Sequence, residues 1–296
     1  MPELPEVETI KRQLEDELKG KKITGLKIQL PKLIRGSLPF FRKQVLGSNI
    51  TGLQRRAKLL IIQLSSGFSI LIHLKLTGQL IYQRRDKVKV GGHSIKNGEK
   101  DLPNKYTQAV FTLADKSKLF FNDLRKFGYF RLVKTIDLEK IFQKGRFGPE
   151  PLSDRFSQKV FGDLLSRRKI AKIKPLLMDQ TFIAGLGNIY ATEACFSAGI
   201  MPIRPAGLLK PKEVAKLFRA IKKILAEAIK KQGSSADTYV DAYGQPGKYL
   251  PFLKVYGRKG KPCFKCKAKI KAISLSLIHI SEPTRPLYIS YAVFCL

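Results

Sequence analysis

The chain has 296 residues, 44% of them hydrophobic, which suits one large domain or two of ordinary size. Gly (23) and Pro (16) are near average, which excludes collagen-like and low-complexity classes; no apolar run nears the roughly 18 residues of a membrane span and no basic-then-apolar leader opens the chain, so a soluble, cytosolic protein is expected. Against 56 Lys and Arg stand only 23 Asp and Glu, a net charge of +33, and this excess implies a polyanionic partner: nucleic acid first, an anionic membrane surface second.

After Pro2, Val7, Ile10, Leu14 and Leu18 fall on one helical face, with acids early and Lys11 and Arg12 later, so a first helix is expected. From Lys22 to about Lys134 the pattern changes to strands. Ile23–Leu30, Leu59–Leu64, Phe68–Leu74, Thr107–Leu113 and Phe127–Val133 are short, apolar and rich in β-formers, and 65–67 (SSG) and 114–117 (ADKS) read as hairpin turns. Several strands with tight turns predict a β-sandwich. Arg84 to Lys105 is polar and Gly-containing and reads as a long loop. From about Gly148 the period becomes helical, and Val214, Leu217, Phe218, Ile221, Ile224, Leu225, Ala228 and Ile229 make an amphipathic stripe that stops at Gly233. Gln232 to Leu250 reads as a loop with scattered Gly, Ser and Tyr. No internal repeat is present.

The tail is foreign to this pattern. Residues 275–285 read LSLIHISEPTR and 289–296 read ISYAVFCL. Both resemble translations of the two ends of a transposase-based sequencing adapter. Leu275–Leu296 is therefore set aside as an artefact of the gene sequence. It carries one Glu and one Arg, so the charge excess belongs to the rest of the chain.

Two features suggest chemistry. Methionine before a small residue is normally trimmed, which would leave Pro2 as a free secondary amine. An α-amino group titrates near about 7.7–8.0 and Lys near about 10.4, so roughly a tenth of such an amine is neutral at pH 7. A neutral amine can attack a sugar aldehyde carbon and form an iminium, with Glu3 as the acid-base partner. On pattern alone, a helix that simply starts with a proline and acids is the favoured reading. The second feature is Cys263-x-x-Cys266, which asks for a metal. A four-cysteine hairpin needs another such pair about 15–20 residues on. That window holds Pro283 and Pro286, and Cys295 stands alone, so the site reads as half present. Cys195, in an apolar helical stretch, reads as a buried structural thiol.

The opening PELPEVETI resembles the signature of the formamidopyrimidine-DNA glycosylase family, bacterial base-excision enzymes for oxidised purines. Further blocks follow in the family's order: QRRAK at 54–58, HLKLTG at 73–78, DLRKFG at 123–128, GLGNIY at 185–190, and VYGR at 255–258 before the cysteines. The resemblance covers residues 2 to about 273. It implies an α+β fold, with an N-terminal helix and β-sandwich, a helix–two-turns–helix domain, and here a truncated remnant of a zinc hairpin. The expected divisions are a catalytic domain at 1–134, a linker at 135–150, a helical DNA-binding domain with a lesion loop at 151–254, a partial hairpin at 255–274, and the tail from 275.

The same resemblance implies the roles. Pro2 would be the nucleophile at C1′ of the damaged nucleotide, Glu3 would move protons on the opening sugar, and Lys58 would act in the elimination steps and contact phosphate. Leu76, Arg125 and Phe127 would fill the gap left by the everted nucleotide, with Phe127 as wedge and Arg125 facing the orphaned cytosine. Taken without the resemblance, Leu76 and Phe127 read as core. Tyr106 stands where relatives carry a DNA-contacting His. Asn188 would bind phosphate beside a helix N-terminus, and Arg167, Arg168, Lys169, Lys172 and Lys174 would face the DNA backbone. The implied partner is damaged double-stranded DNA, met by a monomer in the bacterial cytoplasm at the nucleoid. The implied cofactor is a structural Zn²⁺ whose ligand set, Cys263 and Cys266, is incomplete here, with none needed for catalysis. The implied activity is a glycosylase and AP lyase that nicks the strand by β,δ-elimination. Two rivals stand beside it. An endonuclease VIII-like enzyme for oxidised pyrimidines usually opens PEGPE, against PELPE here. A non-catalytic DNA-binding relative would not need Pro2, Glu3 and Lys58 together.

Overall fold

The computed structural model describes residues 1–84, 87–93, 102–234, 239–240, 247–275 and 290–294, with backbone alone for 87–93, 239–240, 274–275 and 290–294. The chain divides into two compact units, Met1–Lys144 with Ala228–Leu250, and Gly145–Glu227 with Pro251–Leu296.

The first unit begins with α1 (Leu4–Leu18), β1 (Ile23–Ile28) and α2 (Leu38–Val45). Strands β2 (Ile50–Arg56), β3 (Leu59–Leu64), β4 (Phe68–His73), β5 (Gly78–Arg84), β6 (Lys87–His93), β7 (Thr107–Leu113), β8 (Lys118–Asp123) and β9 (Tyr129–Lys134) follow, then α3 (Leu138–Lys144). In the second unit α4 (Gln158–Ser166), α5 (Ile173–Met178) and α6 (Asn188–Ala198) precede the long α7 (Pro211–Lys230), whose residues from Ala228 on belong to the first unit. β10 (Tyr239–Val240) rejoins the first unit, and β11 (Lys271–Leu275) and β12 (Ser290–Phe294) close the described chain.

Two antiparallel sheets form the sandwich. One has the order β2-β3-β4-β9 and the other β1-β7-β8-β5-β6-β10. Inward side chains of both, such as Leu60, Ile62, Ile70 and Ile72 against Leu80, Tyr82, Phe111 and Phe121, make one apolar cluster with Val7, Ile10, Leu14 and Leu18 of α1. Phe130 sits at its centre, with ring centroids 4.9 Å from Phe121, 5.9 Å from Phe111 and 6.5 Å from Phe41. Burying each such ring contributes about 1.5–3 kcal/mol.

The structure departs from expectation in two places here. Part of the stretch expected to be a long loop is β6, paired with β5 from Gln79–Gly92 to Arg84–Lys87. Its sequence KVKVGGH does alternate with period two, but lysines and two glycines mask the alternation. And α2 interrupts the interval read as strands only. Ser37 caps it by accepting from Phe40 N at 3.3 Å, and Pro39 lies in its first turn.

In the second unit Phe156, Phe161, Phe182 and Phe218 pack ring to ring, and Leu217, Ile221 and Leu225 of α7 are buried. Part of the tail that the sequence set aside is ordered into this unit. β12 pairs with β11 from Lys271–Phe294 to Leu275–Ser290. The β-branched and aromatic residues of SYAVF suit an added strand. Among the described residues no helix is long and apolar enough to cross a membrane.

Candidate functional site

Pro2 is buried and Met1 is 38% exposed. Glu3 is the N-cap of α1 and makes a reciprocal capping box with Glu6, whose Oε2 accepts from Glu3 N at 2.9 Å. The other Glu6 oxygen, Oε1, accepts from Ser234 N at 2.9 Å and lies 3.5 Å from Ser234 Oγ. Glu3, Glu6 and Ser234 are each 2% exposed. The start of the first helix is therefore fixed to Ser234, near the start of the Gln232–Leu250 loop. Residues 235–238 and 241–246 of that loop lie outside the described residues.

Lys58, 6% exposed, occupies the tight turn between β2 and β3. Its neighbour Ala57 takes φ +54°, a left-handed backbone that costs a non-glycine residue about 1–2 kcal/mol. Arg55 holds that turn, since its Nη1 donates to Ala57 O at 2.9 Å while its Nε donates to Glu8 Oε2 at 2.9 Å. Burial raises the Glu8 carboxyl, and the Arg12 and Arg55 guanidiniums outweigh that and hold it below its ordinary value. One arginine thus ties the helix that presents Pro2 and Glu3 to the turn that presents Lys58. Across the β3–β4 ladder Leu59 faces His73. Burial first, then the positive charges of Lys75, Lys58 and Arg35, push His73 well below the usual imidazole range. It stays neutral, and its Nδ1 accepts from Lys75 N at 2.9 Å.

That bond shapes the turn carrying Leu76, which is half-buried; Lys75 has φ +53°, and Gly78 N closes the turn on Leu74 O at 2.9 Å. A Cβ on Gly78 would lie 2.3 Å from that carbonyl, so only glycine fits. Arg125 and Phe127 project from the exposed segment 124–127, with the Arg125 guanidinium carbon 5.0 Å from the Phe127 ring centroid and Phe127 47% exposed. An exposed apolar ring beside an arginine is no core feature. Tyr106 is half-buried next to this segment, its carbonyl accepting from Asp123 N at 2.9 Å.

In the second unit the turn 185–187 leads into α6. Gly185 takes φ +90°, where a side chain would be strained, and Gly187 is the N-cap. The Gln180 amide spans the turn, donating to Met178 O and Leu186 O and accepting from Gly185 N, all at 2.8 Å. Asn188 is the first helical residue, and Lys174 Nζ donates to its Oδ1 at 2.6 Å. This corrects the reading of Lys174 as a cation on the DNA-facing surface, because it is 0% exposed. Its neighbours on a six-residue helix, Ile173 and Leu177, are buried as well, and so short a helix gives no readable period. Arg167, Arg168, Lys169 and Lys172 are exposed. The backbone under Lys169 is fixed by Gly207 N donating to its carbonyl at 2.8 Å.

Glu193 of α6 was not singled out by the sequence. It is 3% exposed and accepts from the N–H groups of Lys254, Val255 and Tyr256 at 2.8–2.9 Å, tying α6 to the segment before the cysteines. Burial raises its carboxyl, only partly countered by those three donors. Cys195 is fully buried, and burial pushes its thiol up to about 12 despite Lys174. Cys263 is buried and Cys266 exposed, in a small turn where Lys265 N points at Cys263 Sγ from 3.4 Å. Two thiols do not fit a tetrahedral metal site, and among the described residues no cluster of three or more His, Cys, Asp or Glu could complete one.

Residues 1–130 match the family model described as the formamidopyrimidine-DNA glycosylase N-terminal domain, and residues 147–240 match that family's H2TH domain. The formamidopyrimidine-DNA glycosylase of Pelotomaculum thermopropionicum is 43% identical over 271 residues, 91% of this chain and 93% of that one. The protein of the same name from Carboxydothermus hydrogenoformans is 40% identical over 267 residues, 90% and 92%. Among solved structures, the Lactococcus lactis Fpg complexed with DNA containing an abasic site superposes with a TM-score of 0.85 at 32% identity, covering 99% of this chain and 97% of that one. A variant of that protein complexed with Fapy-dG-containing DNA gives 0.83 at 34%, covering 93% and 95%. The chain belongs to the formamidopyrimidine-DNA glycosylase family.

Proposed function

We propose that this chain is a DNA glycosylase and AP lyase that removes oxidised purines, formamidopyrimidines and 8-oxoguanine among them, from duplex DNA and nicks the strand. The observation that carries the chemistry is the buried, doubly anchored start of α1. Glu3 and Glu6 form a reciprocal cap directly after the buried Pro2, and Arg55 ties that helix to the Lys58 turn.

On this reading, removal of Met1 frees the Pro2 nitrogen. Its lone pair bonds to C1′ of the damaged nucleotide as the bond from C1′ to the base breaks, and the base departs with those electrons and takes up a proton equivalent to the one the Pro2 nitrogen gives up. Glu3 supplies the proton that O4′ needs when the sugar ring opens, leaving an iminium between Pro2 and C1′. The iminium acidifies C2′. Loss of a proton there expels the 3′ phosphate, and a second elimination expels the 5′ phosphate, with Lys58 beside the reacting sugar to move protons and pair with phosphate. Leu76, Arg125, Phe127 and Tyr106 engage the duplex around the vacated position, because an enzyme that reacts at C1′ must first take the nucleotide out of the stack. Asn188 and Lys169 hold phosphates from the second unit. Structural zinc is typical of the family, but Cys263 and Cys266 make half a site, so no step here runs through a metal. The protein works as a monomer in the bacterial cytoplasm, at the nucleoid.

The test is borohydride trapping on duplex DNA bearing 8-oxoguanine opposite cytosine. Chain that has lost Met1 should become covalently linked, Pro2→Gly should trap far less, and chain that keeps Met1 should not trap at all. Normal trapping with Met1 attached would overturn the assignment of the nucleophile.

A further inference from the structure

Asp123 lies at the end of β8 and is 1% exposed, yet among the described residues its carboxylate pairs with no cation. Its contacts are with two loops. Oδ1 accepts from Thr77 Oγ1 and, at 3.1 Å, from Arg125 N; Oδ2 accepts from Gly128 N at 2.7 Å. The Thr77 hydroxyl in turn accepts from Arg125 N at 2.9 Å. Thr77 directly follows Leu76, and Arg125 N and Gly128 N bracket the segment that carries Arg125 and Phe127. The main chain of Asp123 reaches a third segment, donating from N to Tyr106 O at 2.9 Å.

Both loops hold a lysine in left-handed backbone, Lys75 at φ +53° and Lys126 at φ +57°. Strain of this kind persists only where surrounding bonds over-determine it. Gly128 shows how closely the second loop is drawn in. A Cβ there would lie 2.6 Å from Phe121 Cζ and 3.1 Å from Asp123 Oδ2. The carboxylate therefore joins the two loops whose outward residues the proposed function places in the duplex.

We propose that Asp123 is a positioning residue: through Thr77 it clasps the Leu76 turn to the 124–127 segment, so that the groups filling the emptied site enter DNA as one rigid unit. This rests on the proposed function, because it presumes that Leu76, Arg125 and Phe127 enter DNA. The clasp acts only where there is a stack to fill. A single strand offers no gap, so the clasp is silent there.

The experiment compares the full chain with Asp123→Asn, Thr77→Val, Thr77→Ser and the Asp123→Asn/Thr77→Val double variant. One arm measures the ratio of affinities for duplex with a tetrahydrofuran abasic analogue opposite cytosine and for intact duplex. The other measures borohydride trapping on single-stranded abasic DNA. Asn removes one acceptor from a buried pair of loops, so the duplex preference should fall about tenfold. Thr77→Val should match it, Thr77→Ser should restore the parent value, and the double variant should be no worse than either single one. Single-strand trapping should stay within about twofold of the parent, against the tenfold change above. An unchanged duplex preference in Asp123→Asn and Thr77→Val, or a parallel loss in both arms, would overturn the clasp. If Asp123→Asn fails to fold, the Thr77→Val and Thr77→Ser pair decides. A parent that never traps single-stranded DNA would count against the proposed nucleophile, while the affinity ratio still decides the clasp.

Discussion

Glu6→Gln should be among the most damaging isosteric changes in the first unit. Two buried backbone donors, Glu3 N and Ser234 N, each lie 2.9 Å from a different oxygen of this one carboxylate. Glutamine keeps one acceptor and turns an NH₂ group toward the other donor. One N–H is then buried without a partner, at about 1–3 kcal/mol, and the surviving bond weakens from charge-assisted to neutral, about 1 kcal/mol more. The total is about 3 kcal/mol, and at roughly 2–4 °C per kcal/mol for a unit of this size the melting temperature should drop by about 6–12 °C. Urea unfolding and thermal melts measure this directly, with Asp16→Asn on the exposed face of α1 as the control, expected within about 0.5 kcal/mol of the parent. Hydrogen exchange at Glu3 and Ser234 should accelerate together, because one side chain protects both. If Glu6→Gln unfolds like Asp16→Asn, or if only one of the two amides is deprotected, the carboxylate is not the bridge described.

Exposed Lys169 and buried Lys174 should behave differently in salt. Lys169→Ala should lower the slope of log affinity against log salt by about one unit, whereas Lys174→Met should weaken binding with the slope unchanged, and equal slopes for both would contradict their placement. Burial raises the Asp115 carboxyl, but Lys21 and Ser117 pull it down to about 2, so its stabilising effect is present above pH about 4 and is lost as pH falls through about 2. The stability gap between the parent and Asp115→Asn, under about 1 kcal/mol for a pair this near the surface, should therefore shrink between pH 4 and pH 2; a constant gap would refute the pairing. The full chain should carry less than one zinc by mass spectrometry, and replacing Leu275–Leu296 with a complete hairpin from a relative should raise zinc content and strand cleavage together; one tightly held zinc in the unaltered chain would refute this.

What the sequence made legible follows from how strongly each residue's pattern constrains it. The helix at Val7–Leu18 and the apolar strands β3, β4 and β7 announce themselves because burial repeats at 3.6 or 2 residues. β6 escaped because two lysines and two glycines stand among its seven residues, although its backbone pairs with β5 from Lys87 to Gly92. α2 was findable from Ser37 and Pro39 at its start but is only two turns long. In the site, motif blocks pointed to Pro2, Glu3 and Lys58, while the holding roles of Glu6 and Arg55 beside them, and of Asp123 and Glu193 elsewhere, stayed silent. Their partners are backbone N–H groups and distant side chains. Ser234 lies 228 residues from Glu6, and Tyr256 lies 63 from Glu193, and no local spacing encodes such pairs. Lys174 looked like any other cation because charge is visible in sequence and burial is not.

The bond between Glu6 and Ser234 also orders events in time. A chain emerging from the ribosome at about 5–20 residues per second presents Glu6 at the outset and Ser234 many seconds later. Until then one oxygen of the Glu6 carboxylate has no Ser234 to receive, and the segment that will lie beside the new helix does not yet exist. Pro2 is buried in the folded chain, so on the proposed function a peptidase removing Met1 would meet its substrate most easily during this interval. On that reading, maturation of the amine comes before closure over it, because the two ends of a single hydrogen bond lie 228 residues apart along the polypeptide.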